Sequence, residues 1–375
     1  MNIVVAPDSF KGSLTSVQAS EIMKKAITSI DHDIHVTLKP MADGGEGTLD
    51  ALLSSTSGTR VPITCTGPLG EQVNTAYAVI DANCAIIECA SIAGLIQVPI
   101  DKRNPDITTT FGIGEAIVDA LDRGCTSIIL ALGGSATNDG GLGMLQALGM
   151  RAWDLHGHKT GIFGKDVQDV NGVSFTNIDP RLAKVTINVA CDVDNPLSGD
   201  RGASKVYGPQ KGSTPYQINK YDAALHTYGE LVEASLGKPL KNVPGAGAAG
   251  GLGFALLAIG GELVSGAELI AGAMHAEKAI RSADLILTGE GQSDEQTLYG
   301  KAPGYIAALG RKHHVPAVLI SGSLDGNLDV LSERFAGCFS IVDKPTSLQE
   351  CMEKADVLLY QQTKQVIHLL QHFLK

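Results

Sequence analysis

The chain opens with a strand, a helix and a second strand that cannot complete a fold by themselves. The run IVVA at 3–6 ends at Pro7, apolar Ile22, Ala26 and Ile30 then recur at helical spacing after Ser16, and a second strand reads over 34–38. Two strands joined through a helix lie parallel with a right-handed crossover, and two strands cannot bury a sheet face. Their partners come only much later, as the buried-type runs LIL at 285–287, AVLI at 317–320 and CFSIV at 338–342, with helical patterns at 302–312 and 351–374. The expected fold is therefore α/β with two domains: a parallel sheet built from both chain ends, over 1–60 and 283–375, and a large α/β domain inserted at 61–282. A length of 375 residues, more than one core usually supports, agrees with two domains.

The insertion carries its own signals. Alternation predicts strands around 73–80 and 85–88, and a helix over 111–123 stops at Gly124. The run SIILA at 127–131 reads as a buried strand and leads into LGGSATNDGGLGMLQALG at 132–149. Gly133 and Gly134 permit a tight turn, Ser135, Thr137, Asn138 and Asp139 crowd it with short polar groups, and Leu142, Leu145 and Leu148 share a helical face. Such a strand, glycine loop and helix can aim backbone N–H groups at a phosphate or carboxylate, or it can be a sharp turn with no ligand. A strand at 185–191 and helices at 216–236 and 248–259 follow. A crevice between two domains is the expected place for a small substrate.

Composition excludes several functions. Apolar residues make up 44% and charged residues 18%, ordinary for a soluble enzyme, and the 44 glycines cluster in loops beside strands without a repeat. A net charge of −11 with no Lys/Arg block argues against nucleic-acid or anionic-membrane partners, so an anionic small molecule would have to be held by a few local cations. The seven cysteines are odd in number and mostly set in apolar runs, which points to reduced thiols and a cytoplasmic protein. No signal-peptide pattern opens the chain, and the longest apolar stretch, 252–264, is broken by Gly260, Gly261 and Glu262.

Candidate chemistry sits just past the strands. Asp8, Ser9 and Lys11 follow the first strand, Asp43 and Glu46 lie among the glycines of MADGGEGT after the second, and Glu290 and Asp294 follow the run at 285–287 with Lys301 close behind. Open α/β sheets place ligands at such strand ends, although Asp8 and Ser9 can equally close a turn. Asp192 and Asp194 alternate after the strand at 185–191 and make a plausible magnesium pair, or only a turn before Pro196. Lys211 lies in a glycine-flanked loop. The single G-x-G-x-x-G, at Gly245, Gly247 and Gly250, lacks the buried strand that dinucleotide binding requires. No Walker loop and no G-x-S-x-G turn occurs, and no histidine has a metal-site partner at the right spacing.

Taken in order, APDSFKGSLTS, MADGGEGT, GPLG at 67–70, RNPDITTTFGIGEAI from Arg103, the 132–149 segment, ACDVDNPLSGDRGASKVYGPQKG, GAGAAGGLG and ADLILTGEGQSDEQTLYGK resemble the bacterial glycerate kinase family, the class without a Walker loop. The resemblance runs to about residue 301 and more loosely beyond. It implies ATP-dependent phosphorylation of D-glycerate, usually to 2-phosphoglycerate, with a flavodoxin-like inserted domain and a cleft between the two domains. Phosphoryl transfer needs mainly positioning and charge neutralisation. In that reading Gly133, Gly134, Ser135, Thr137, Asn138 and Asp139, with Gly247 and Gly250, cradle ATP, and Asp192 or Asp194 holds Mg2+. Lys11 and Arg103 or Lys211, with Ser9 and Lys301 beside them, hold the substrate carboxylate or the moving phosphoryl group. Asp43, or else Asp8 or Glu290, orients the hydroxyl. The product could instead be 3-phosphoglycerate, and a nicotinamide-dependent hydroxy-acid oxidoreductase or a non-catalytic nucleotide-binding regulator remains the competing class. Assembly, a homo-oligomer included, stays open.

Overall fold

A computed structural model describes residues 1–373, so the last position of the helix expected at 351–374 lies outside the described residues. The chain forms two compact units, one from Met1–Asp43, Asp50–Thr56 and the chain from Ser265 onward, the other from Gly44–Leu49 and Ser57–Val264. The sequence reading placed the return to the first unit at 283. The segment before it instead supplies helices Gly266–Ala273 and Ala276–Ile280, whose Ala267, Ala271, Ala276 and Ile280 join the core around Val4, Ile286 and Ile306. These helices are short and rich in small residues, which left little periodicity to read.

In the end-built unit a five-stranded sheet runs Gly337–Ser340, Ala317–Ser321, Leu285–Thr288, Asn2–Val5, His35–Leu38, all parallel. Alternate side chains feed opposite faces: Val4, Ile286 and Leu319 pack with Ile306, while Ile3, Val5, Leu287 and Ile320 pack with Met23, Ile27 and Ile367. A sheet buried on both faces explains why these strands read as continuous apolar runs. Helix Ser16–Ile30 starts where Thr15 and Gln18 cap each other, Thr15 Oγ1 accepting from Gln18 N at 3.1 Å and Gln18 Oε1 from Thr15 N at 2.9 Å.

Counted in chain order, this sheet is 2-1-3-4-5, the flavodoxin-like order, which the family resemblance had led us to expect in the insertion. The inserted sheet runs in simple chain order across six strands, Thr59–Thr66, Gln72–Ile80, Cys84–Glu88, Ser127–Ala131, Thr186–Ala190 and Glu262–Val264. Its first three strands are antiparallel because the connections between them are far too short for a crossover, and the others are parallel. Thr59–Thr66, not expected from the sequence, is an edge strand that tolerates Pro62. The core of this unit gathers Ile87, Ile113, Ile117, Leu130, Leu145, Val189 and Leu252. Among the described residues no helix is long and apolar enough to cross a membrane.

Candidate active site

The end-built sheet reverses its winding between Asn2–Val5 and Leu285–Thr288, and ligands of open α/β sheets bind outside the carboxyl ends at such a switch point. Asp8 follows the first of these strands and Glu290 the second, tied together by Asp8 N donating to Gly289 O at 2.8 Å. Only glycine fits at 289, where a Cβ would stand 1.7 Å from Ile320 O. Asp8 is 6% exposed, and its Oδ1 accepts from Ser9 N at 2.6 Å. Among the described residues no side chain or backbone group donates to its second oxygen. Burial pushes the Asp8 carboxyl up to about 7, the Asp43 and Glu290 charges add to this, and the Ser9 N–H and Lys11 oppose it.

Around Asp8 the other expected residues of this unit are anchored. Lys11 Nζ lies 3.0 Å from Asp43 Oδ2, and the Asp43 charge raises the Lys11 ammonium above its ordinary range. Glu290 Oε1 accepts from Thr297 Oγ1 at 2.7 Å and Ser293 Oγ at 3.1 Å, and Ser293 Oγ meets Ser321 Oγ at 2.7 Å. Lys301 Nζ stands 3.7 Å from Glu290 Oε2 and 3.9 Å from Asp294 Oδ1. The structure therefore brings Asp8, Ser9, Lys11, Asp43, Glu290 and Lys301 together. Sequence reasoning missed the hydroxyls of Ser293, Thr297 and Ser321. A serine three residues after Glu290 was the available signal, but Ser321 comes from a distant strand.

In the inserted unit the 132–139 loop is braced at its base. Gly133 N donates to Gly44 O at 2.9 Å, and a Cβ on Gly133 would lie 2.5 Å from Gly45 Cα. Gly134 takes a φ of +74°, its carbonyl accepts from Leu95 N at 2.8 Å, and Ala136 N donates to Ala93 O at 2.8 Å. Among the described residues the N–H groups of Ser135 and Thr137 meet no acceptor. Into this loop reaches Lys211, itself 2% exposed, with Nζ 2.8 Å from Ser135 Oγ and 2.7 Å from Thr137 O. Burial pushes the Lys211 ammonium down to about 8, with Cys89 and Asp139 opposing. The Arg103 loop abuts that of Lys211, since a Cβ on Gly212 would lie 2.1 Å from Arg103 O. Among the described residues of this unit, the side-chain atoms buried without a partner include Arg103 Nε, Thr137 Oγ1, Asn138 Oδ1 and Ser213 Oγ. An anion beside the lysine would pair the donors among them, Arg103 Nε and the hydroxyls of Thr137 and Ser213.

Other expected residues serve the loop rather than line it. Asp139 is fully buried, and both its oxygens are taken: Oδ2 accepts from Thr110 N at 2.9 Å, Thr110 Oγ1 at 2.7 Å and Gly143 N at 3.3 Å, and Oδ1 from Gly141 N at 3.1 Å. It locks the helix starts at Phe111 and Leu142 together. Asn138 Nδ2 donates to Ser204 Oγ at 2.9 Å. Gly250, at φ +71°, backs the loop so closely that a Cβ would lie 2.0 Å from Thr137 O, and one on Gly247 would lie 2.2 Å from Pro196 O. Residues 249–251 are left-handed, so no regular helix N-terminus stands there. The glycines of G-x-G-x-x-G are thus explained by close packing.

The expected magnesium pair is exposed. Asp194 Oδ1 pairs with Arg201 Nη2 at 2.5 Å, which holds its carboxyl below the usual range. Asp192 is exposed as well, and among the described residues no three His, Cys, Asp or Glu side chains form a metal-holding group. These residues do not fit a dedicated magnesium cage.

The glycerate kinase family model matches residues 3–371 of this chain. The chain belongs to the glycerate kinase family. It is 42% identical over 367 residues to a glycerate kinase of Halalkalibacterium halodurans strain C-125, covering 97% of each chain. It is also 42% identical to the glycerate 2-kinase of Escherichia coli K12, over 95% of this chain and 94% of that protein. A crystal structure named for a glycerate kinase 2 from Salmonella typhimurium LT2 superposes with a TM-score of 0.89 at 40% identity, covering 99% of this chain and 98% of that one. A glycerate kinase acts on small molecules. Each unit of this one offers a distinct charged cluster, one acidic with two lysines, the other a glycine loop around a buried lysine.

Proposed function

We propose that this glycerate kinase transfers the γ-phosphoryl group of ATP to D-glycerate and yields 2-phosphoglycerate. The observation that carries the donor half is Lys211, buried with its ammonium inside the loop of Ser135 and Thr137, where unpaired N–H groups and the cation suit phosphate oxygens. The acceptor half rests on Asp8, Lys11, Asp43, Glu290 and Lys301 at the switch point, where lysines suit a carboxylate and a carboxylate suits a hydroxyl. The 2-phospho product follows the name of the Escherichia coli relative. Magnesium, which is usually bound through substrate phosphates and few protein carboxylates, would supply charge neutralisation and arrive with the nucleotide. Seven free thiols suit a reducing cytoplasm.

The test measures ADP release with and without D-glycerate and identifies the product by phosphorus NMR. Glycerate-dependent release with 2-phosphoglycerate is the expected result. A 3-phosphoglycerate product would overturn the regiochemistry alone, and reduction of a nicotinamide cofactor with no ADP would overturn the kinase reading.

A further inference from the structure

Three carboxylates meet at the switch point, and they are not equivalent. Asp43 is paired with the Lys11 ammonium at 3.0 Å. Glu290 has one oxygen fixed by two hydroxyls and the other facing Lys301 at 3.7 Å. Asp8 alone is buried with a single backbone donor, the Ser9 N–H, and an oxygen to which no described group donates. We propose that Asp8 is the catalytic base, its open oxygen accepting the hydroxyl proton of the small acid while Asp43 and Lys11 act as a positioning pair beside it. This rests on the kinase reading above. As the hydroxyl oxygen bonds to the transferring phosphorus, the bond from phosphorus to the bridging oxygen of the nucleotide breaks. ADP departs with that electron pair, and the proton passes to Asp8 and then to water.

The groups facing Asp8 are Asp43, Glu290 and Lys11, and their combined field with burial sets its titration near neutrality, where a general base is most effective. A hydroxyl donor arriving at the open oxygen also satisfies a buried carboxylate that the protein leaves half-served.

The experiment follows glycerate-dependent ADP release by the wild type, Asp8→Asn and Asp43→Asn from about pH 5.5 to 9. Wild-type turnover should fall on the acid side of about 7. Asp8→Asn should lose at least about a hundredfold at pH 8, with KM for glycerate changed only a few-fold. Asp43→Asn should lose less and move the acid limb to lower pH, because removing that negative charge lets Asp8 ionise more easily; a merely structural Asp43 would not move it. Retention of both turnover and the acid limb in Asp8→Asn would overturn the proposal, as would loss of the limb in Asp43→Asn. Should Asp8→Asn fail to fold, the direction of the shift in Asp43→Asn decides alone. A wild type with no glycerate-dependent release would overturn the kinase reading instead.

Discussion

Asp8→Asn should stabilise the protein in alkaline solution while disabling it. A carboxyl raised from 3.8 to about 7 holds its proton more tightly in the folded chain than in the unfolded one. Between those values the folded state binds more protons, so its stability falls as pH rises and the loss is complete above about 7. At about 1.4 kcal/mol per unit, the ionised Asp8 costs the fold about 4 kcal/mol. Asparagine matches the carboxylate in shape, keeps an oxygen for the Ser9 N–H and carries no charge. At about pH 3.5, below the ordinary value of 3.8, the variant and the wild type should therefore melt close together, and at pH 8 the variant should melt higher by roughly 8 °C, taking the lower slope for a unit of this size. Calorimetric melts at the two pH values measure the gap. A gap that does not widen with pH, or a variant less stable at pH 8, would show that Asp8 is held ionised by a cation, and the base assignment would fall with it.

Other outcomes follow from the inserted unit. Lys211→Ala should weaken nucleotide binding at least about tenfold, the scale of a lost charged hydrogen bond, read as KM for ATP; unchanged KM would remove Lys211 from the donor site. Asp139→Ala should cost at least about 3 kcal/mol in urea unfolding, because it strands the buried donors on Thr110, Gly141 and Gly143. A stable Asp139→Ala enzyme with poor nucleotide affinity would mean that Asp139 faces the ligand after all.

Much of this was legible because it follows from local rules. Apolar runs bounded by glycine gave the parallel strands, and Asp8 and Glu290 were found by their place just past strand ends, a relation of chain order that needs no coordinates. What escaped depends on distance in the fold. Ser321 joins the Glu290 network from another strand, and nothing in its own neighbourhood marks it. Asp139 read as a ligand because short polar residues in a glycine loop look alike; only its four donors distinguish a brace from a binding group. Asp192 and Asp194 matched a spacing, yet the alternation said nothing of Arg201 seven residues on, which takes the Asp194 charge. The edge strand Thr59–Thr66 was hidden by Pro62, which weakens any strand pattern although an edge accepts it.

Burial displaces Asp8 and Lys211 in opposite directions, and both end near neutrality. For Lys211 this has a thermodynamic signature. Near pH 8 about half of the Lys211 side chains are neutral in the free enzyme. A triphosphate placed against the ammonium favours its charged form, so binding must draw in a proton, approaching half a proton per site at about pH 8 and little below pH 7. Calorimetric titrations of ATP in buffers of different ionisation enthalpy count that proton. Lys211→Met should abolish the uptake, whereas Lys11→Met, in the other unit and already raised by Asp43, should leave it intact. If uptake at pH 8 survives in Lys211→Met, the nucleotide phosphates are held somewhere other than the loop of Ser135 and Thr137, and the buried lysine is there for the loop itself.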